Sequence, residues 1–258
     1  MLLVRYGAEG FLAAGETMDQ LGVLLSDPHL VPPSRWELGH RVDLELEAVR
    51  APVEPGKIVG VGRNYVEHVK ELGNPMPAEP VIFLKSPGSV IGPRAPIVLP
   101  PESGRVEHEG EIGVVLARRL RRASAEDAER AILGVVPAND VTARDLQRKD
   151  PSFCRAKSFD SFCPLGPALW VDPPLGALSV VTRVNGQERQ RGSVAEMTWG
   201  IVELLVYVSR MMTLEAGDLV LTGTPSGVGP LVDGDRVEVE IPGLGTLANP
   251  VEAWRQTS

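Results

Sequence analysis

The chain of 258 residues holds only two cysteines, four histidines and five lysines, and it has no long hydrophobic run. Cys154 and Cys163 could pair with each other. Two thiols without a CxxC motif cannot build a four-thiolate metal site, and one bridge in a chain this long is not a disulfide scaffold. The longest clean apolar stretch, Ile201 to Val208, is interrupted by Glu203 and falls far short of the roughly 20 residues a bilayer-spanning helix needs. Positive charge is also short. Lys plus Arg total 26 against 34 Asp plus Glu, a net charge of −8. That balance argues against a nucleic-acid partner, because phosphate binding needs concentrated positive charge. Residues 1–15 carry an acid at Glu9 and no apolar core of signal-peptide length, so the expected location is the cytoplasm.

Apolar residues make up 43% of the chain, too many for a disordered protein. Gly (27) and Pro (23) are abundant without a three-residue period, which excludes collagen and points to many turns between short strands. A composition shift at Ala51–Gly56 (APVEPG) divides a small N-terminal domain, residues 1–51, from a main domain, residues 52–258. In the first, Leu2–Tyr6 reads as a strand and Thr17–Leu25 as a helix. In the second, Lys57–Gly62, Val81–Lys85, Ile97–Leu99, Glu109–Ala117, Leu133–Val141, Leu219–Gly223, Arg236–Ile241 and Gly245–Val251 read as strands. Pro137 argues for an edge or a bulge. Asn64–Leu72 reads as a short helix with Asn64 as N-cap, and Ser124 with Asp127 opens another. Asn185-Gly186 marks a hairpin between Ser179–Val184 and Gln187–Arg191. Val194–Met212 predicts the longest helix, with Val194, Met197, Ile201, Leu204, Leu205, Val208 and Met212 on one face.

Four groups of residues carry candidate chemistry. On a strand, Glu109 and Glu111 point to one face, and with Asp140 from a neighbouring strand they would offer a hard, all-oxygen site for Mg²⁺, Mn²⁺ or Ca²⁺. Taken alone, Glu-x-Glu also reads as the wet face of an amphipathic strand. His68 and Glu71 are neighbours at i and i+3 on a helix, where a carboxylate orients an imidazole and raises its basicity; the same spacing also suits an ordinary surface pair. Against 21 arginines, Lys85 at the end of VIFLK and Lys157 in RAKSFD suggest compact point charges, while Arg144 and Gln147 follow Asp140 within two helical turns. Thr222–Gly229 (TGTPSGVG) can bring backbone N–H groups close to a ligand, but it lacks the lysine of a phosphate-binding loop and the spacing of a dinucleotide fingerprint.

In order along the chain, the segments GVGRNYVEHVKELG, PVIFLKSPGSVIGP, EHEGEIGVVLARR, ANDVTARDLQ, RAKSFDSFCPLGP, VNGQERQ and MTLEAGDLVLTGTPSGVG with GDRVEVEIPGLGTLANPV resemble the fumarylacetoacetate hydrolase superfamily. The resemblance covers residues 57–251. It implies a mixed, mainly β fold with a compact, rolled or barrel-like core, a few helices and a small variable N-terminal domain. It also implies Mg²⁺ or Mn²⁺ on Glu109, Glu111 and Asp140, with Ca²⁺ as a substitute, and a His68–Glu71 dyad on a mobile lid helix. Lys157 would be catalytic, and Arg144, Gln147, Lys85 and Thr224 would meet a small anionic 2-oxo acid substrate in a homodimer. No membrane or nucleic-acid partner is implied.

The activity so implied is hydrolytic C–C cleavage of an acylpyruvate of fumarylpyruvate type through a metal-stabilised enolate. The alternatives are a 2-hydroxyhepta-2,4-diene-1,7-dioate isomerase or 2-oxo acid decarboxylase of aromatic catabolism and, outside enzymes, an inactive metal-binding protein. Three carboxylates against a dication leave about −1, so extra cations such as Lys157 and Arg144 are needed for an anionic substrate. Three departures from the pattern stand near the site. Gly110 replaces an apolar residue and predicts a looser strand, Pro137 precedes Asp140, and Glu107 replaces Asp. The loops Ser86–Pro93 and Thr222–Gly229 are expected to wall the pocket.

Overall fold

The computed structural model describes residues 1–28, 31–45, 48–73 and 75–256. Its backbone is mainly β with few helices, as expected. A ten-stranded sheet runs, edge to edge, through Leu38–Arg41, Gly22–Leu24, Phe11–Gly15, Leu2–Tyr6, Leu169–Val171, Ile132–Asn139, Gly110–Leu116, Leu219–Leu221, Ile58–Gly62 and Val81–Lys85. The sheet has two free ends, so the strands close no barrel among the described residues. A five-stranded sheet, Gln187–Ser193, Ser179–Val184, Arg236–Ile241, Gly245–Ala253 and Ile97–Leu99, forms a second layer. The four strands before Ala51 join the large sheet through Leu2↔Trp170 and Leu3↔Leu169. No helix among the described residues is long and apolar enough to cross a membrane.

The centre of the large sheet is buried on both faces, which is why its strands read as near-continuous Val, Ile and Leu. Alternate side chains divide between two cores. Val59, Val61, Ile112, Val114 and Val220 face Val180, Val239, Leu247 and the long helix, whereas Ile58, Val115, Leu219 and Leu221 face Leu3, Leu165 and Leu169.

Among the described residues, five α-helices decorate these layers: α1 (Val66–Glu71), α2 (Ala125–Arg130), α3 (Arg144–Lys149), α4 (Cys154–Lys157) and α5 (Ile201–Met211). Several expectations need correction. Residues 17–25 form no helix, because Gly22–Leu24 pairs with Phe11–Gly15 and Leu38–Arg41. The helix predicted from Val194 starts instead at Ile201. A short 3₁₀ turn at Val194–Glu196, closed by a capping box between Ser193 and Glu196, precedes it, and Gly200 is its N-cap. Tyr65, not Asn64, is the N-cap of α1. Strand Ile132–Asn139 is central rather than an edge. Leu169–Val171 pairs with this strand only at Gly134 and Val135, so Pro137 lies beyond that ladder, and the register shift between this strand and Gly110–Leu116 falls at Val115/Leu116. Ser124 does cap α2 by accepting from Asp127 N at 3.1 Å, and Asn185-Gly186 turns its hairpin with φ of 52° and 76°. The two cysteines are free, Cys154 exposed and Cys163 buried.

Gly110 is a tight position rather than a loose one. A Cβ there would stand 1.9 Å from Thr182 Oγ1, 3.2 Å from Thr182 Cβ and 3.4 Å from Val239 Cγ1. The missing side chain lets the second sheet close over the strand between two glutamates. Gly110→Ala is therefore expected to destabilise the protein by about 1–3 kcal/mol in urea unfolding, and Thr182→Ala in the same chain to recover part of that loss. Equal stability of Gly110→Ala and wild type would contradict this packing.

Candidate active site

Backbone pairing assembles three carboxylates. Glu109 lies between strands Val106–His108 and Gly110–Leu116, Glu111 lies on the second, and Asp140 follows Ile132–Asn139. Gly110 pairs with Asn139, Asp140 N donates to Glu109 O at 2.8 Å, and Glu109 N donates to Asn139 Oδ1 at 3.0 Å. The result is a buried group whose carboxylate oxygens lie within 4.8 Å of one another.

Cations surround two of the three. Lys157 Nζ, on α4, donates to Glu109 Oε2 at 2.7 Å and to Asp140 Oδ2 at 2.5 Å. Lys85 Nζ, at the end of its strand, donates to Asp140 Oδ1 at 2.7 Å from behind the cluster. Arg144, the first residue of α3, donates from Nη2 to Glu109 Oε1 at 2.5 Å, from Nε to Glu107 Oε2 at 2.7 Å and from Nη1 to Gln147 Oε1 at 2.6 Å. Glu107 also accepts from Arg105 at 2.6 Å, so this departure from the pattern anchors the arginine. Glu111 differs from its neighbours. Among the described residues it accepts from Gly223 N at 2.7 Å and makes no ion pair.

These contacts split the carboxylates electrostatically. Burial opposes ionisation of Glu109, but the charges of Lys157 and Arg144 overcome it and hold its pKa far below the usual range. Burial pushes Glu111 well above its ordinary value of 4.5, and the negative charges of Asp140 and Glu109 add to the push. Burial also opposes the charge on Lys157, yet Asp140 and Glu109 raise its pKa above the ordinary value.

Across one cavity of about 320 Å³ the cluster faces α1. His68 Nδ1 stands 3.2 Å from Glu71 Oε2, and Glu71 accepts from Gly227 N at 3.0 and 3.1 Å. The cavity brings together His68, Glu109, Glu111, Arg144, Gln147, Lys157 and Thr224. Lys85 and Glu71 act one layer back, Lys85 through Asp140 and Glu71 through His68. The amides of Gly223 and Gly227 in the Thr222–Gly229 loop serve Glu111 and Glu71, and no residue of Ser86–Pro93 lines the cavity.

Among the lining residues that escaped the sequence reading are Arg63, Leu72, Phe83, Arg148 and Phe153. The signals existed for two of them. Phe83 shares a strand face with Lys85, and Arg148 lies one helical turn beyond Arg144. The Phe83 ring centroid is 4.9 Å from Lys157 Nζ and 5.7 Å from the edge-on ring of Phe153. Arg63 sits in a left-handed turn, φ 61°, fixed by its neighbour. Asn64 accepts from Trp199 N at 2.9 Å and donates to Trp199 O and Thr222 O at 3.0 and 2.8 Å.

The donor set fits a divalent cation. It is all oxygen, the Glu109 and Asp140 oxygens keep a second lone pair beside their bonds to Lys or Arg, and Glu111 makes no ion pair among the described residues. The pKa direction of Glu111 makes this testable. A carboxyl raised in the folded state contributes stability at low pH that is lost as pH rises above its ordinary value of 4.5. A bound dication replaces that proton. The gain in Tm on adding Mn²⁺ should therefore grow from about pH 5 to about pH 8, and Glu111→Gln should flatten that growth. A gain independent of pH in the wild type would contradict the assignment.

Residues 57–252 match the fumarylacetoacetate hydrolase C-terminal family. A human mitochondrial protein named oxaloacetate tautomerase is 42% identical over 214 residues, spanning 78% of this chain and 68% of its own. The crystal structure of a 5-carboxymethyl-2-hydroxymuconate delta-isomerase from Mycobacterium smegmatis superposes with a TM-score of 0.87 at 39% identity, over 98% of this chain and 100% of that one. A fumarylacetoacetate hydrolase from Exiguobacterium antarcticum does so with a TM-score of 0.83 at 34% identity, over 98% and 100%. The relatives thus include a tautomerase, an isomerase and a hydrolase. The chain belongs to the fumarylacetoacetate hydrolase C-terminal family.

Proposed function

We propose that the protein is a divalent-metal-dependent enzyme that hydrolyses a C–C bond in a small acylpyruvate of fumarylpyruvate type. The observation that carries this reading is that one cavity is lined both by Glu109 and Glu111 of the buried carboxylate triad and by His68, which Glu71 holds from one layer back. Mg²⁺ or Mn²⁺ held by Glu109, Glu111 and Asp140 would supply a Lewis acid for the carboxylate and keto oxygens of a 2-oxo acid.

The remaining work falls to the protein's own side chains. Glu71, which accepts from Gly227 N, also accepts from His68 Nδ1–H, which leaves Nε2 of His68 to take a proton from water. The Lys157 ammonium and the Gln147 amide border the same space and orient the substrate's oxygens. Arg63 and Arg148 add positive charge to the lining, which suits a substrate with carboxylates at both ends, as in fumarylpyruvate. Phe83, Phe153 and Leu72 supply apolar wall for the carbon chain between them and keep bulk water away.

A second reading, keto–enol tautomerisation or isomerisation of a 2-oxo dicarboxylate, is favoured by the relatives of 42% and 39% identity. There His68 Nε2 would take its proton from the carbon beside the keto group instead of from water. Turnover of acylpyruvates, oxaloacetate and unsaturated dienedioates with Mn²⁺ separates the two, because hydrolysis releases a second acid and tautomerisation releases none. His68→Ala is expected to lower kcat by about 10²–10⁴ while Mn²⁺ affinity stays as in wild type. Unchanged acylpyruvate turnover in that variant would reject His68 as the base.

A further inference from the structure

The two halves of the site come from different parts of the chain. The carboxylates sit on the central strands, and the dyad sits on α1 and leans on the Thr222–Gly229 loop. One side chain outside the cavity lining touches both supports. Gln190, on strand Gln187–Ser193, is 1% exposed, and its amide makes four hydrogen bonds. Oε1 accepts from Gly110 N and from His108 Nδ1, each at 3.0 Å. Nε2 donates to Thr224 Oγ1 at 2.7 Å and to Pro225 O at 2.8 Å.

That set uses every donor and acceptor site the amide owns. It also fixes which way the amide points, because Gly110 N–H can only donate and the Pro225 carbonyl can only accept. Nδ1 of His108 must then carry the hydrogen. Thr224, accepting from Gln190, turns its own hydroxyl hydrogen to Gly110 O at 2.9 Å. Both peptide groups of Gly110, the residue between Glu109 and Glu111, are thereby held by one glutamine and the threonine it orients. On the other side, Pro225 lies two residues before Gly227, whose N–H holds Glu71. A Cβ on Gly227 would meet Arg189 O at 1.9 Å, so the loop is seated directly on the backbone beside Gln190.

We propose that Gln190 is a positioning residue that fixes the Glu109–Glu111 carboxylate pair relative to the His68–Glu71 dyad, acting through Gly110 on one side and Thr224 and Pro225 on the other. The proposal rests on the reading of Glu109, Glu111 and Asp140 as cation ligands, and it assigns Gln190 no contact with substrate or metal. A glutamine that merely staples two loops would cost stability when removed without disturbing cation binding. Asn249 provides that comparison. It is equally buried, at 1% exposure, and donates to Gly92 O at 2.9 Å and Ala95 O at 2.8 Å, away from the cavity.

The test uses the full chain. In Gln190→Met, which keeps the length of the side chain and loses its polar atoms, Mn²⁺ affinity by titration calorimetry should fall about 10–100-fold. In Asn249→Leu it should stay within about twofold of wild type. Hydrogen exchange of the metal-free proteins reads the clamp without the cation: the amides of Gly110, Thr224, Ser226 and Gly227 should exchange faster in Gln190→Met and not in Asn249→Leu. Gln190→Glu serves where the methionine variant fails to fold. It keeps oxygens for Gly110 and His108 but loses the donors to Thr224 and Pro225, so only the loop should lose protection. Wild-type Mn²⁺ affinity in Gln190→Met, equal losses in both variants, or a fully protected loop in Gln190→Glu would overturn the proposal. A wild-type protein that takes up no Mn²⁺ would overturn the cation reading instead, and the exchange measurement would still decide the clamp.

Discussion

The site depends on keeping three carboxylates out of water within a few ångströms of one another. Such a group repels itself and loses hydration, so the fold must supply opposite charge at fixed places. It does so unevenly. Lys157 bridges Glu109 and Asp140, Lys85 backs Asp140 and Arg144 grips Glu109, while among the described residues Glu111 receives only a backbone N–H. The unevenness is what makes the cluster chemically useful. Lys157 and Arg144 hold Glu109 as an anion, and Glu111, with no ion pair among the described residues, keeps a demand for charge that a divalent ion could satisfy.

The same constraint explains the surrounding architecture. A cluster this polar needs a firm backbone, and it stands on the doubly covered centre of the ten-stranded sheet, where Gly110–Leu116 and Ile132–Asn139 pair. The cations come from elements that start or end next to those strands: the last residue of Val81–Lys85, the first of α3 and the last of α4. The rest of the cavity wall is built differently. Arg63 lies in a turn, Arg148 on α3 and Phe153 at the start of α4, with Phe83 on the edge strand Val81–Lys85, all outside the two strands that carry the carboxylates.

Much of this was legible in the sequence because the strands are short, apolar and punctuated by turn residues with clear chemistry. The Glu-x-Glu spacing, the His68–Glu71 pair and the lone lysines all pointed to the residues that now share or border one cavity. What escaped had physical reasons. Thr17–Leu25 carries helical periodicity, but strand pairing with Phe11–Gly15 prevails over that local preference. The break before Ile201 lies in a capping box and a Gly, signals masked by the apolar residues on either side. Asn64 has the chemistry of a helix cap, and its two long-range partners, Trp199 and Thr222, lie more than 130 residues away where no local rule reaches. Gly110 read as a weak point because the oxygen that fills its empty side, Thr182 Oγ1, arrives from the other sheet.

Helix α1 has six residues and no side-chain cap. A segment of that length has almost no helical order of its own in water, since nucleation costs more than so few turns return. Its shape is borrowed from Asn64 at one end and from Glu71 on Gly227 at the other. The imidazole of His68 is therefore aimed only while the strands behind those contacts are in place. The candidate site is a property of the completed tertiary structure: a chain with its secondary structure formed but its layers undocked would own every one of these side chains and assemble none of them into a site.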